Sequence, residues 1–399
     1  MPHEYDLQGP DIFTDPYPLY HRLRSKYPIH LDSHLGCWVV TSYSDVALAL
    51  ANGNLSSERA RRGVALREKG WMEVSPLFKH ISNLMFFTDP PKHTQIRSLM
   101  SKAFSVHMID KWRPRIQEIT NQLLDAVYNK GYMDIIQDIA NPLPIKVIAD
   151  MLGVPSHEQA QFKIWSDDLA YFLGNQPSLS QYVKIMHSVQ SFMEYFREVV
   201  KHHRVYPKDD LVNALIHAED RGVVLTEDEL LINCVGLFAG GHETTTNLIG
   251  NGLLALLRNR NELQRLQNDP SLVVNAIEEL LRYDSPVQFT GRIAKRTTEI
   301  GGKKIYEGQS VMLMLGSANR DPLKFQNPDY FDISRQDNRH LAFGHNIHYC
   351  IGAALARIEA QIAIRTILQR MPNLQLASAP LKWQENLSFH GLKNLYVTF

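Results

Sequence analysis

The chain has 399 residues, 44% of them hydrophobic, so it can bury a large core and nothing in its make-up reads as disordered. Its 42 Lys and Arg balance 42 Asp and Glu, which removes a global electrostatic case for nucleic acid or an anionic membrane as partner. Three cysteines, Cys37, Cys234 and Cys350, lie too far apart to form a disulfide framework and suit a reducing cytosol. The first residues carry no basic run followed by an apolar one, and no stretch of about 18 apolar residues occurs. A cytoplasmic protein with neither leader nor membrane span is expected.

In chain order, Trp38-Val39-Val40-Thr41 reads as a short strand after a glycine turn, and Ser42 to Leu50 takes helical spacing. Residues 55–80 carry scattered charge with Gly63 and Gly70 and read as a long connection. Apolar residues at helical spacing predict helices over Lys111–Asn129, Leu143–Met151, Phe162–Phe172 and Tyr182–Val200. The last two flank the turn cluster Leu173 to Ser178. Asp269-Pro270 starts a helix expected to bury Val274, Ile277 and Leu281, because Asp caps and Pro at the first position gives up a donor that has no partner there. Short β-prone runs between Thr297 and Met314 predict a small sheet. With no repeat or linker in view, the expectation is one domain over 1–399, mainly α with a minor β portion.

The segment Phe343-Gly344-His345-Asn346-Ile347-His348-Tyr349-Cys350-Ile351-Gly352 precedes a strong helical run from Ala353. A turn-rich loop thus delivers one cysteine to the start of a helix, where the dipole and free N–H groups favour thiolate over thiol. An arbitrary cysteine is more often a core thiol. Zinc is a further alternative, given His345 and His348, although no paired C-x-x-C or H-x-x-x-H partner accompanies them. On its own the loop favours metal binding without naming the metal.

The loop resembles the heme-binding fingerprint of the cytochrome P-450 family, F-G-x-G-x-H-x-C-x-G, at Phe343, Gly344, His348, Cys350 and Gly352. It departs at Asn346, which stands at the second glycine. Asn tolerates positive φ better than other non-glycine residues, so the turn should survive.

Leu230 to Leu257 is apolar-rich but interrupted by Ala239-Gly240-Gly241-His242-Glu243-Thr244-Thr245-Thr246, a poor mid-helix composition. It reads either as a helix opened or bent at a functional site or as the capped boundary of two ordinary helices. Gly240 to Thr245 resembles the family's G-G-x-[DE]-T-T signature. The resemblance implies that Thr244 holds the hydrogen bond and water chain at dioxygen and that Glu243 helps supply protons.

Glu279 and Arg282 share a helix face. With Arg335, the resemblance makes them a structural triad bracing the cysteine loop. It likewise makes His93, Arg97, Arg292 and His348 partners of the heme propionates, with Cys350 the iron ligand. By position in the family, the substrate pocket takes Leu84, Phe86, Phe87, Gly236, Ala239, Gly240, Val287, Gln288, Thr290, Phe389 and His390, an apolar set with a few polar groups.

The implied fold is the family's triangular, mainly α prism carrying heme b, and the implied reaction is hydroxylation or epoxidation by dioxygen and two electrons. With no flavin or nicotinamide segment, a separate ferredoxin or flavodoxin is the expected redox partner. Lys102, Arg357 and Arg365 are candidates to meet it. A monomer acting on a small hydrophobic natural product of polyketide or macrolide type is expected, without nucleic-acid or membrane partners. The rival readings are a hydrogen-peroxide-driven peroxygenase, a non-enzymatic heme sensor and a zinc hydrolase.

Overall fold

The computed structural model describes residues 6–60 and 74–399. Helix dominates among them, and most strands lie toward the two ends. The chain folds as two compact units: Met1–Leu55 with Arg113–Leu143 and Thr244–Phe399, and Ser56–Trp112 with Pro144–Glu243. Neither is a continuous stretch, so no single cut separates them.

In the first unit, strands Ile29–Asp32, Cys37–Val40, Ser310–Leu313 and Thr290–Ala294 lie side by side, with Leu55–Ser56 on the far edge. The expected strand at Trp38 is present and begins one residue earlier, after Gly36 at φ 63°. The helix Tyr43–Ala51 follows, its first turn capped by Ser42, whose Oγ accepts from Asp45 N–H at 3.2 Å. Val46 and Leu50 from that helix pack with Ile29, Val40, Ala294, Val311 and Leu313 of the sheet. The β-prone run 297–314 divides between a hairpin, Thr298–Ile300 with Lys303–Ile305, and the sheet strand Ser310–Leu313.

Asp269 caps as expected, its Oδ1 accepting from Ser271 N–H at 3.0 Å. However, Pro270–Leu272 forms a 3-10 turn and the α-helix runs Val273–Tyr283. The apolar stripe of this helix is Val273, Ala276, Ile277, Leu280 and Leu281, so Ile277 and Leu281 are buried as expected, while Val274 lies at the stripe's edge and is 56% exposed rather than buried.

The helix Ala353–Arg370 buries Glu359, whose Oε2 has no hydrogen-bond partner among the described residues. Burial pushes this carboxyl well above its ordinary value and so favours its neutral form in the folded chain. The unfolded chain ionises in the ordinary carboxyl range, so stability is full below that range and falls as pH rises toward the folded value. Glu359→Gln is therefore expected to flatten the alkaline loss of thermal stability. Melting curves from pH 5 to 9 check this, and an unchanged slope would show that Glu359 does not carry it.

In the second unit, the helices Gln159–Gly174 and Leu179–Val205 flank the expected turn, and Ser178 and Gln181 form a capping box at the start of the second. Phe162 anchors an aromatic cluster, with ring centroids 4.8 Å from Phe192 and 5.2 Å from Phe238. Part of the expected 55–80 connection is a helix, Ser75–Ile81, that buries Leu77, Phe78 and Ile81. Residues 61–73 of that connection lie outside the described residues.

The apolar stretch around Gly240 is one helix, Glu227–Arg258, with no break in its 32 residues. The two-helix reading is thereby set aside: packing on both flanks outweighs the low propensity of Gly240-Gly241.

Candidate active site

The cysteine loop is tied by backbone bonds before the helix begins. Gly344 N–H donates to Leu341 O and Cys350 N–H to Phe343 O, both at 2.8 Å. Gly344 sits at φ 72° and Asn346 at φ 60°, so asparagine does take the left-handed conformation that the fingerprint reserves for glycine. Cys350 is exposed, whereas Cys37 and Cys234 are buried. It stands two residues before Gly352, the N-cap of Ala353–Arg370. An accessible sulfur at a helix N-terminus fits a thiolate ligand and not a packed core thiol.

The three predicted triad residues come together. Arg282 and Glu279 are both 0% exposed and pair through two bonds of 2.8 Å, and Arg335 Nε donates to Glu279 at 3.1 and 3.2 Å. Glu279 also accepts from Asp332 N–H and from Asn338, while Arg282 reaches the carbonyls of Asn319 and Pro328. Asn319 in turn accepts from Leu341 N–H at 2.7 Å, which links the network to the base of the cysteine loop.

A second brace escaped the sequence reading. Arg357 holds Glu278 through bonds of 2.7 and 2.8 Å and stacks 4.5 Å from the centroid of Phe343, and His340 bonds Glu278 at 3.2 Å. Burial pushes the Glu278 carboxyl up, but the hydrogen bonds and charges of Arg357 and His340 outweigh it and hold the group down at about 2. Arg357 is thus paired, as is Lys102, whose ammonium meets Asp220 at 2.9 Å and Glu219 O. Of the three cations proposed to meet a redox partner, Lys102 and Arg365 are exposed on their helices and Arg357 is half-buried.

Arg292 is buried on the strand Thr290–Ala294 and donates to Gly291 O and Thr290 Oγ1. Val287 and Phe389 are bridged across the neighbouring segments. Gln288 is turned into the wall, where its amide donates to Ser285 O at 2.7 Å and lies against Gly316. His390 turns to Asp284, 2.8 Å away, and stacks on Trp383 with centroids 4.2 Å apart.

Along the central helix, Gly236, Gly240 and Thr244 recur every fourth residue and therefore share one face. These three are partly or fully accessible, whereas Ala239, His242, Glu243 and Thr245 are buried. Nothing lies within 4 Å of where a Cβ on Gly240 would stand, so the helix surface is uncovered at that position. In the second unit, Gly236 lies against Leu84 and Phe86, bringing three predicted pocket residues together, and Phe87 is buried next to Phe86 with centroids 4.7 Å apart. His93 and Arg97 lie one turn apart on the helix Lys92–Ala103. Burial, and then the Arg97 charge, lower the His93 pKa.

The zinc alternative fails on geometry. Among the described residues, the ligand atoms that cluster are those of Asp167, His242 and Glu243, not those of His345, His348 and Cys350. A thiolate donor and separate arginine and histidine side chains instead suit an iron porphyrin with its two carboxylates.

Comparison with known proteins agrees. The cytochrome P-450 family model matches residues 68–374. Cytochrome P-450 CYP107DY1 of Priestia megaterium is 40% identical over 99% of this chain and 98% of its own. Among solved structures, P450BioI in complex with hexadec-9Z-enoic acid ligated acyl carrier protein aligns with TM-score 0.92 and 37% identity, over 98% of this chain and 99% of that one. The bacillaene polyketide synthase cytochrome PksS of Bacillus subtilis gives 0.89 and 34%, over 100% and 99%. The chain belongs to the cytochrome P-450 family. It has the fold of that family, mainly α with small sheets, and it is a monooxygenase with heme b as cofactor.

Proposed function

We propose that Cys350 is the thiolate ligand of the heme iron and that the chain works as one monooxygenase domain. It hydroxylates or epoxidises a medium-sized hydrophobic substrate with electrons from a separate ferredoxin or flavodoxin system. The observation that carries this reading is the exposed Cys350 thiol at a helix N-terminus, in a loop whose Asn346 adopts the glycine conformation. Bound heme supplies the activation of dioxygen with two electrons. His93, Arg97, Arg292 and His348 hold the propionates by charge-assisted hydrogen bonds. Thr244 and Glu243 deliver protons, Thr244 from the partly accessible face of the central helix and Glu243 from its buried flank. Glu279, Arg282 and Arg335 brace the cysteine loop.

The substrate bears on Leu84, Phe86 and Phe87 beside Gly236, an apolar lining that suits a polyketide or macrolide skeleton. The likeness to PksS supports this class. An acyl chain delivered on a carrier protein is a second reading, favoured by the likeness to P450BioI. No helix among the described residues is long and apolar enough to cross a membrane, in keeping with a cytoplasmic site of action.

Turnover with reductase, ferredoxin and NADPH, set against turnover with hydrogen peroxide alone, tests the electron source. Reductase-driven turnover is expected to be the faster. Equal rates with peroxide alone would favour the peroxygenase, and no substrate-dependent oxygen consumption would favour the sensor.

A further inference from the structure

The helix Gln159–Gly174 brings Asp167 to the turn of the central helix that carries His242 and Glu243. One carboxylate oxygen of each acid and a ring nitrogen of His242 all lie within 4.8 Å of one another. Carboxylates at that range are close enough for a proton to pass between them directly or through one water. The two acids differ in access to water. The Asp167 side chain is 44% exposed, whereas Glu243 is 8% exposed.

The surrounding charges are few and placed. Lys163 Nζ lies 2.6 Å from Asp167 Oδ2 and is itself 36% exposed. Asp168 is engaged by Lys184 at 2.6 Å and Ser188 at 2.7 Å, on the helix Leu179–Val205. His242 is held by Ser166 Oγ at 3.3 Å, and burial drives its pKa to about 3. It is therefore neutral at working pH and adds no charge beside the two acids. Burial raises the Asp167 pKa, and Lys163 acts against that.

We propose that Asp167 feeds protons from solvent to Glu243 during turnover. When Glu243 has given up its proton, the Asp167 O–H bond breaks and the proton passes to the Glu243 carboxylate. Asp167 then takes a replacement from bulk water. Lys163 sets how readily Asp167 holds that proton. The inference rests on the reading of Glu243 as the proton donor. Asp167 acts only through it and is a positioning residue.

The test uses the holoenzyme with ferredoxin, reductase and NADPH, following dioxygen consumption in H2O and D2O across pH. Asp167→Asn is expected to lower the rate about tenfold, less than the roughly 100-fold expected from removing the acid itself, and to raise the solvent isotope effect. Lys163→Met removes the cation that favours ionised Asp167, so the alkaline limb of the profile moves to higher pH. Infrared titration of the protein without turnover should show a protonated carboxyl near neutral pH that Asp167→Asn removes. If both variants match the parent in rate, isotope effect and pH limb while Glu243→Gln is impaired, the relay through Asp167 is wrong and the reading of Glu243 stands. If Glu243→Gln is also unimpaired, the reading of Glu243 fails and the relay with it.

Discussion

Glu279→Ala is expected to destabilise the folded chain by about 3–5 kcal/mol, the usual cost of breaking a fully buried ion pair from one side. The size follows from what is left behind. Arg282 is 0% exposed and would lose both of its bonds to a carboxylate, while Arg335, Asn338 and the Asp332 N–H lose their acceptor at the same time. Against a typical total of roughly 5–15 kcal/mol, that loss leaves a protein close to unfolding. Glu279→Gln keeps the shape and one acceptor and should fall between the two. Urea unfolding of the holoprotein measures this, and a loss under about 1 kcal/mol would mean that the triad is an ordinary surface pair in energetic terms.

Thr244→Ala is expected to lower product formed per electron consumed by about 100-fold, the lower end of what a positioned proton-transfer group contributes. Reductant and dioxygen should still be consumed, with hydrogen peroxide as the outlet, because Gly236 and Gly240 on the same helix face are untouched. Thr244→Ser restores the hydroxyl and should recover most of the coupling. Parallel assays of NADPH, peroxide and product distinguish the cases. Full coupling in Thr244→Ala would remove this residue from the proton path.

Much of the site could be read in the sequence because its signals are local. Glu279 and Arg282 are three apart, the cysteine loop is one run of ten residues, and Asn346 could be assigned to positive φ on its own chemistry. What escaped depends on partners brought together only by folding. Glu278 meets His340 and Arg357 across 62 and 79 positions, and Ser166 meets His242 across 76, distances over which no spacing rule operates. The misplaced Val274 has a different cause. Ile277 and Leu281 of the same helix are buried as the spacing predicts, whereas Val274 sits at the edge of the apolar stripe beside the helix start, where Val273 takes the inward place. At the central helix the low propensity of the two glycines correctly marked an unusual site, but not its form, because packing decided that.

The most direct test of the central claim, ligation by Cys350, is the absorbance spectrum of the reduced holoprotein under carbon monoxide. A strongly red-shifted Soret band is predicted for the parent and its loss for Cys350→Ser. A parent spectrum with the Soret band at the unshifted position of a nitrogen-ligated heme, or a Cys350→Ser protein that keeps the shifted band, would contradict it.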